Sequence, residues 1–194
     1  MPAAAGLATL LATLLAGCAM TGGGPARSGE EKVPKVNPKT NPKMNMQQAA
    51  DRADEILDDV LGAIQPPVEW THRPTMAGNC STDRSRTVMT IISEQRRGAF
   101  LGLVDRHWKS KGFTFRATSK DKQAAYYVSP DGFQASVLIG WKGQAHFEVT
   151  TPCVEKSDVK PPTSPPHGRD YYNEPPTAPN VTSDFWSATT PAGN

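Results

Sequence analysis

The chain of 194 residues holds three cysteines and four histidines, and their spacing limits the chemistry open to it. His72, His107, His146 and His167 are scattered. Neither Cys80 nor Cys153 has a second Cys or a His within four residues, so no metal-binding motif is formed. Ser93 and Ser136 lack the strand-turn-helix glycine setting of an exposed nucleophile. Asp131-Gly132-Phe133 reads as a turn, and no glycine-rich strand-to-helix loop is present to cradle phosphate. One constellation remains. His146 and Glu148 stand two apart in a strand-like stretch and so share one face. His72 joins them if its strand is their neighbour. An imidazole beside a carboxylate suits proton transfer or metal ligation, and it is equally an ordinary feature of a wet sheet face. Arg116, Gln134 and Ser136 fall on that same face, giving with His146 and Glu148 a polar, ligand-facing set of five. No catalytic residue, metal or cofactor is expected. The primary reading is a non-enzymatic binding or scaffold protein; the alternative is a small enzyme or metal-dependent module around His146 and Glu148.

The elements that position these residues follow from hydrophobic periodicity. From Met46 to Ile64, the residues Ala49, Ala53, Ile56, Leu57, Val60, Leu61 and Ile64 recur at three- and four-residue intervals. This is an amphipathic helix ended by Pro66-Pro67, with its many carboxylates on a solvated face. A short strand follows at Val68 to Arg73, then a second at Arg86 to Ile92. Ser93 is placed to cap a second helix that carries Phe100, Leu101, Val104 and Trp108 on one side and stops at Gly112. Beyond it the period changes to two. The stretch from Phe113 to Ser119 alternates as a half-buried strand, and three more strands follow through turns at Pro130-Asp131-Gly132 and Lys142-Gly143. Phe133, Ala135, Val137, Ile139 and Trp141 share an inward face with Ala145, Phe147 and Val149. The expected fold is α+β: a two-layer sandwich of an antiparallel sheet with two helices on one face, in the order α-β-β-α-β-β-β-β.

Both ends of the chain differ from this middle. Pro-Lys-x-Asn repeats three times from Pro34 to Asn45, a pattern of extended, solvated backbone. After Glu155 the chain is rich in Pro, Ser and Thr, and reads as disordered or polyproline-like. Tyr171, Tyr172, Phe185 and Trp186 stand out there as elements that either bind a partner or dock on the parent domain. The formal net charge of +2, from 21 basic and 19 acidic residues, calls for no nucleic acid.

At the N-terminus, residues 2–17 carry no charge, and Leu7 to Leu15 is an apolar run too short to span a bilayer. It ends in Leu15-Ala16-Gly17-Cys18, which resembles the lipobox of bacterial lipoproteins. The resemblance implies removal of residues 1–17 and diacylglyceryl attachment to Cys18, hence a membrane partner and a location on the extracytoplasmic face of the cell membrane. No Lys or Arg precedes the run, which points to a translation start further upstream. With Cys18 acylated, Cys80 and Cys153 are left as a pair outside the reducing cytosol, either disulfide-bonded or free buried thiols. The organisation expected is a signal peptide at 1–17, a lipidated Cys and linker at 18–44, a domain at 45–154 and a disordered tail at 155–194.

Together the lipobox, the polar spacer, the Ala-rich helix in "QQAADRADEILDDVLGAI", the Trp-bearing "PPVEWTHRP" and two cysteines resemble small secreted lipoproteins of actinobacteria. The LppA-like family of mycobacteria is similar in layout. That resemblance implies a membrane-tethered domain without an established enzymatic activity, and it carries over no catalytic residues. A cell-envelope protein or polymer is the partner it leaves open.

Overall fold

The computed structural model describes residues 44–190. The expected signal peptide, Cys18 and the expected linker before Met44 lie outside the described residues. The helix α1 (Met46–Gly62) begins at Asn45, whose side-chain oxygen accepts from the Gln48 amide at 2.9 Å while the Gln48 side chain accepts from the Asn45 amide at 3.0 Å. Its stripe of Ala49, Ala53, Leu57 and Val60 is fully buried, as the spacing predicts. Strands β1 (Trp70–His72), β2 (Met76–Ala77) and β3 (Thr82–Val88) follow, then α2 (Glu94–Ser110), then β4 (Thr114–Thr118), β5 (Ala124–Val128), β6 (Gln134–Ile139) and β7 (Ala145–Thr150).

All seven strands join one antiparallel sheet in the order β1-β3-β7-β6-β5-β4, with β2 paired to β3. The fold is therefore the α+β class the periodicity predicts. It has one strand more, because Met76–Ala77 is too short to show a period. Under the two helices lies an aromatic core in which Trp108 packs on Phe113, Tyr127 and Phe147. Cys80 and Cys153 are joined as a disulfide, their Cα atoms 4.8 Å apart. It ties the loop before β3 to the end of β7.

Four expectations are corrected. The second strand runs Thr82–Val88, several residues earlier than expected, because Met89 to Ile92 bond outside the sheet: the Ile91 amide donates to the Val181 carbonyl and the Ile92 amide to that of Gly143. Strand β4 is exposed along its whole length; it is an edge strand whose register shifts between Phe115 and Ala117, so the alternation of its side chains buries neither set. Trp141 is 73% exposed, because a turn with Lys142 in the left-handed region (φ 55°) lifts it off the sheet face.

The fourth concerns the tail, which is ordered against the domain over residues 155–190. Its prolines withhold helix and strand, but single apolar side chains spaced along it insert one at a time. Trp186 is 1% exposed, meets Phe100 edge-on at 5.2 Å, and donates its indole N–H to the Pro66 carbonyl at 2.6 Å. Amides of the domain that no strand satisfies donate into the tail: Met46 to the Glu155 carbonyl, Trp70 to that of His167, Ser93 to that of Trp186. The Ser93 hydroxyl itself bonds the Ala188 carbonyl at 2.5 Å and makes no cap contact to α2. The tail thus packs against the domain as far as Ala188.

Candidate functional site

Strand pairing assigns each candidate side chain to a face, since residues opposite one another in an antiparallel pair point the same way. His146 pairs with Thr87, and Thr87 with Thr71; Glu148 pairs with Ser85 and with Ser136; Thr150 pairs with Gln134. All of these face away from the helices. His72 pairs with Arg86, which pairs with Phe147, so His72 lies on the helix side of the sheet. The constellation of His72, His146 and Glu148 is therefore not assembled. β1 lies next to β3 and not next to β7, and the register shifts His72 by one residue relative to the outward set. His72 is 5% exposed, and its Nε2 donates to the Ser164 carbonyl at 2.6 Å.

The other five predicted residues do share the outer face, in two adjoining hollows. Arg116, Gln134, Ser136 and Glu148 line one of about 220 Å³ together with Tyr126 and Thr150. His146 and Glu148 line a second, of about 330 Å³, with Arg73, Pro74, Met76 and Ser85. A third, of about 140 Å³, takes in Arg73 and Pro74 and runs beneath the tail between Tyr171 and Thr177. The first two hollows meet at Glu148 and the last two at Arg73 and Pro74, so the three lie side by side as a broken groove across the outer face from β4 to the tail. Tyr126 and Leu138, both nearly half exposed, supply apolar surface along it.

The polar groups of this groove have few partners. Among the described residues, the side chains of Arg116, Gln134, Ser136 and Glu148 make no hydrogen bond or ion pair with one another or with their neighbours. His146 alone is engaged, its Nδ1 lying 3.3 Å from the Thr87 hydroxyl. Burial, and secondarily the Arg73 guanidinium, holds the His146 imidazole below its ordinary pKa, while burial and the neighbouring Asp83 push the Glu148 carboxyl up. The set can donate and accept hydrogen bonds along a line of roughly three strand spacings, about 14 Å. No group of three or more potential metal ligands occurs among the described residues.

The inner face holds what the sequence reading missed. Arg84 and Arg86 are 1% and 0% exposed beneath α1. Arg84 Nε lies 3.0 Å from one oxygen of Asp54 and Arg86 Nη2 2.8 Å from the other, with Asp58 at 3.2 Å from Arg86 Nη2. Asp54 and Asp58, expected on a solvated helix face, are turned to the sheet instead. The Arg86 guanidinium also stacks over the Trp70 ring at 5.1 Å, and the tail closes the cluster through the Lys160 carbonyl, 2.7 Å from Arg84 Nη2. The alternation of Thr82, Arg84, Arg86 and Val88 at period two was the available signal, because it places both arginines beside Val88.

The fold and this face define a two-layer α+β domain with an open polar sheet surface. No protein-family model, curated protein or solved structure matches the chain. Among the described residues no helix is long and apolar enough to cross a membrane.

Proposed function

We propose that the chain is a lipid-anchored protein of the cell envelope, held at the extracytoplasmic face of the membrane through diacylglyceryl-Cys18, that binds another envelope component without enzymatic chemistry. The groove on the outer sheet face carries this reading, because four unpaired polar side chains from three strands converge on one surface that the fold does not require. Burial of their polar groups by a ligand costs little when each finds a partner there, and leaves none of the domain's own bonds broken. The disulfide supports the address: with Cys80 and Cys153 joined, Cys18 stands alone at the end of the apolar run. The partner is an envelope protein or polymer long enough to span the groove.

Two substitutions test the two halves of the reading. Cys18→Ala releases the protein from the membrane fraction, and a variant retained as before overturns the anchor. Ser136→Arg fills the centre of the groove from the outer face of β6. It abolishes cross-linking of a photoreactive residue placed at Gln134 to envelope material, whereas persistence of the same cross-link removes the groove as the binding surface.

A further inference from the structure

Resting on that binding reading, we propose that the end of the groove beneath the tail is a socket for one uncharged aromatic ring. The tail arches over the outer face here and is pinned on both sides. The Tyr171 amide donates to the Thr71 hydroxyl at 2.9 Å, and the Gln144 side-chain amide donates to the Thr177 carbonyl at 2.9 Å. Between the pins, Tyr171, Tyr172, Pro175 and Pro176 form a roof over Met89 and Pro74. The partly open space of about 140 Å³ is comparable in size to a cavity of about 150 Å³ that accommodates a benzene ring.

The lining selects the same chemistry. Tyrosine faces, proline methylenes and a thioether sulfur all favour aromatic partners. Most polar groups of the lining are already engaged, the buried Nδ1 of His72 and the Arg73 guanidinium excepted. Thr71 accepts from Tyr171, Thr87 meets His146, and the Gln144 amide holds Thr177. A densely hydroxylated sugar would therefore find few free partners here, and because Arg73 and Glu174 line the space with opposite charges, a ligand of either charge meets a like one. The ring is uncharged and enters from the side of Arg73 and Pro74, where the socket meets the rest of the groove. Two sources present such a ring: a small free aromatic compound, or an aromatic side chain of a polypeptide lying along the groove.

The test uses the full chain with Cys18→Ser, disulfide intact, its methionine methyls labelled for NMR. The probes are p-cresol and the peptide acetyl-Gly-Ser-Tyr-Ser-Gly-amide. Both shift the Met89 methyl saturably, with dissociation constants on the order of 1 mM, and leave Met46 in the helix core unmoved. A peptide that binds more tightly than p-cresol and also shifts the Ser136 and Glu148 amides identifies a polypeptide source; equal binding confined to Met89 identifies the free compound. Met89→Trp fills the socket and abolishes the shift of roof residues, and Tyr172→Ala, a change in a half-buried roof residue, weakens binding about fivefold with the fold retained. A Met89 methyl unmoved by either probe at 10-fold higher concentration overturns the proposal, as does binding unchanged by Tyr172→Ala. Failure of the groove reading appears separately, as a cross-link insensitive to Ser136→Arg.

Discussion

Along β3, alternate side chains point to opposite faces of the same sheet. Arg84 and Arg86 point inward and are closed off by α1 and the tail, while Asp83, Ser85 and Thr87 point outward. The inner pair is held by Asp54 and Asp58 at 2.8 to 3.2 Å. Outside, Ser85 lines a hollow with Glu148 and His146, and across the next strands Ser136 and Gln134 have no partner among the described residues. Polar groups that the fold needs are those whose every alternative partner has been removed by burial; polar groups it does not need keep their capacity for a ligand. The contrast predicts that substitutions on the two sides differ in kind: inner ones act on stability, outer ones on binding.

The largest expected effect follows from removing one carboxylate of the inner cluster. Asp54→Ala leaves two guanidinium groups buried with only Asp58 near one of them, and an uncompensated buried charge costs about 3–5 kcal/mol. Urea unfolding of the variant gives a lowered midpoint, and the shift multiplied by the unchanged slope equals a loss of that size. Asp54→Ala without measurable loss would dissolve the distinction between the faces, because the inner ion pairs would then be as dispensable as the outer polar groups.

A smaller effect comes from the two histidines, one on each face. Burial first, then Arg86, depresses the pKa of His72; burial first, then Arg73, depresses that of His146. Each is therefore neutral in the folded chain at pH values where the unfolded chain already binds a proton. The stability they contribute is complete above about pH 6.5 and is lost as the pH falls from there through their depressed folded values, at up to about 1.4 kcal/mol per pH unit for each. Unfolding measured between pH 7.5 and 5 shows this slope, and His146→Gln removes its own share while leaving that of His72. A stability curve flat across that interval would contradict the burial of both rings.

The strand meander, both helices and the outward set from Arg116 to Glu148 were legible in the sequence because each rests on a local period. What was not legible depended on contacts between distant segments. The conditional grouping of His72 with His146 and Glu148 fails because face depends on register against β3, and register is fixed by pairing, which a three-residue strand does not reveal. Asp54 and Asp58 carry the composition of a solvated face, and only the arginines opposite turn them inward. Trp186 sits in a Pro-rich tail whose composition resembles disorder, yet one buried indole with a bonded N–H anchors it. Period reads local structure; it does not read which chain segment supplies the partner.

The smallest expected effect sharpens the outer side of the comparison. Glu148 is exposed as a residue, but its carboxyl is partly withdrawn from water on the sheet face, and this first and Asp83 second raise its pKa, so the ionised form is slightly disfavoured in the folded chain. A group with a raised folded pKa contributes stability at low pH that is lost as the pH rises from about 4.5 through that raised value. Glu148→Gln removes this dependence. At pH 7 the variant is therefore as stable as the parent or marginally more so, within about 0.5 kcal/mol, and the gap closes in thermal melts as the pH is lowered past 4.5. On the inner face the equivalent loss of one carboxylate is expected to cost several times more and to act in the opposite direction. That difference in sign, measured on two carboxylates only one strand and one helix apart, is what separates a group held for the fold from one free to meet a ligand.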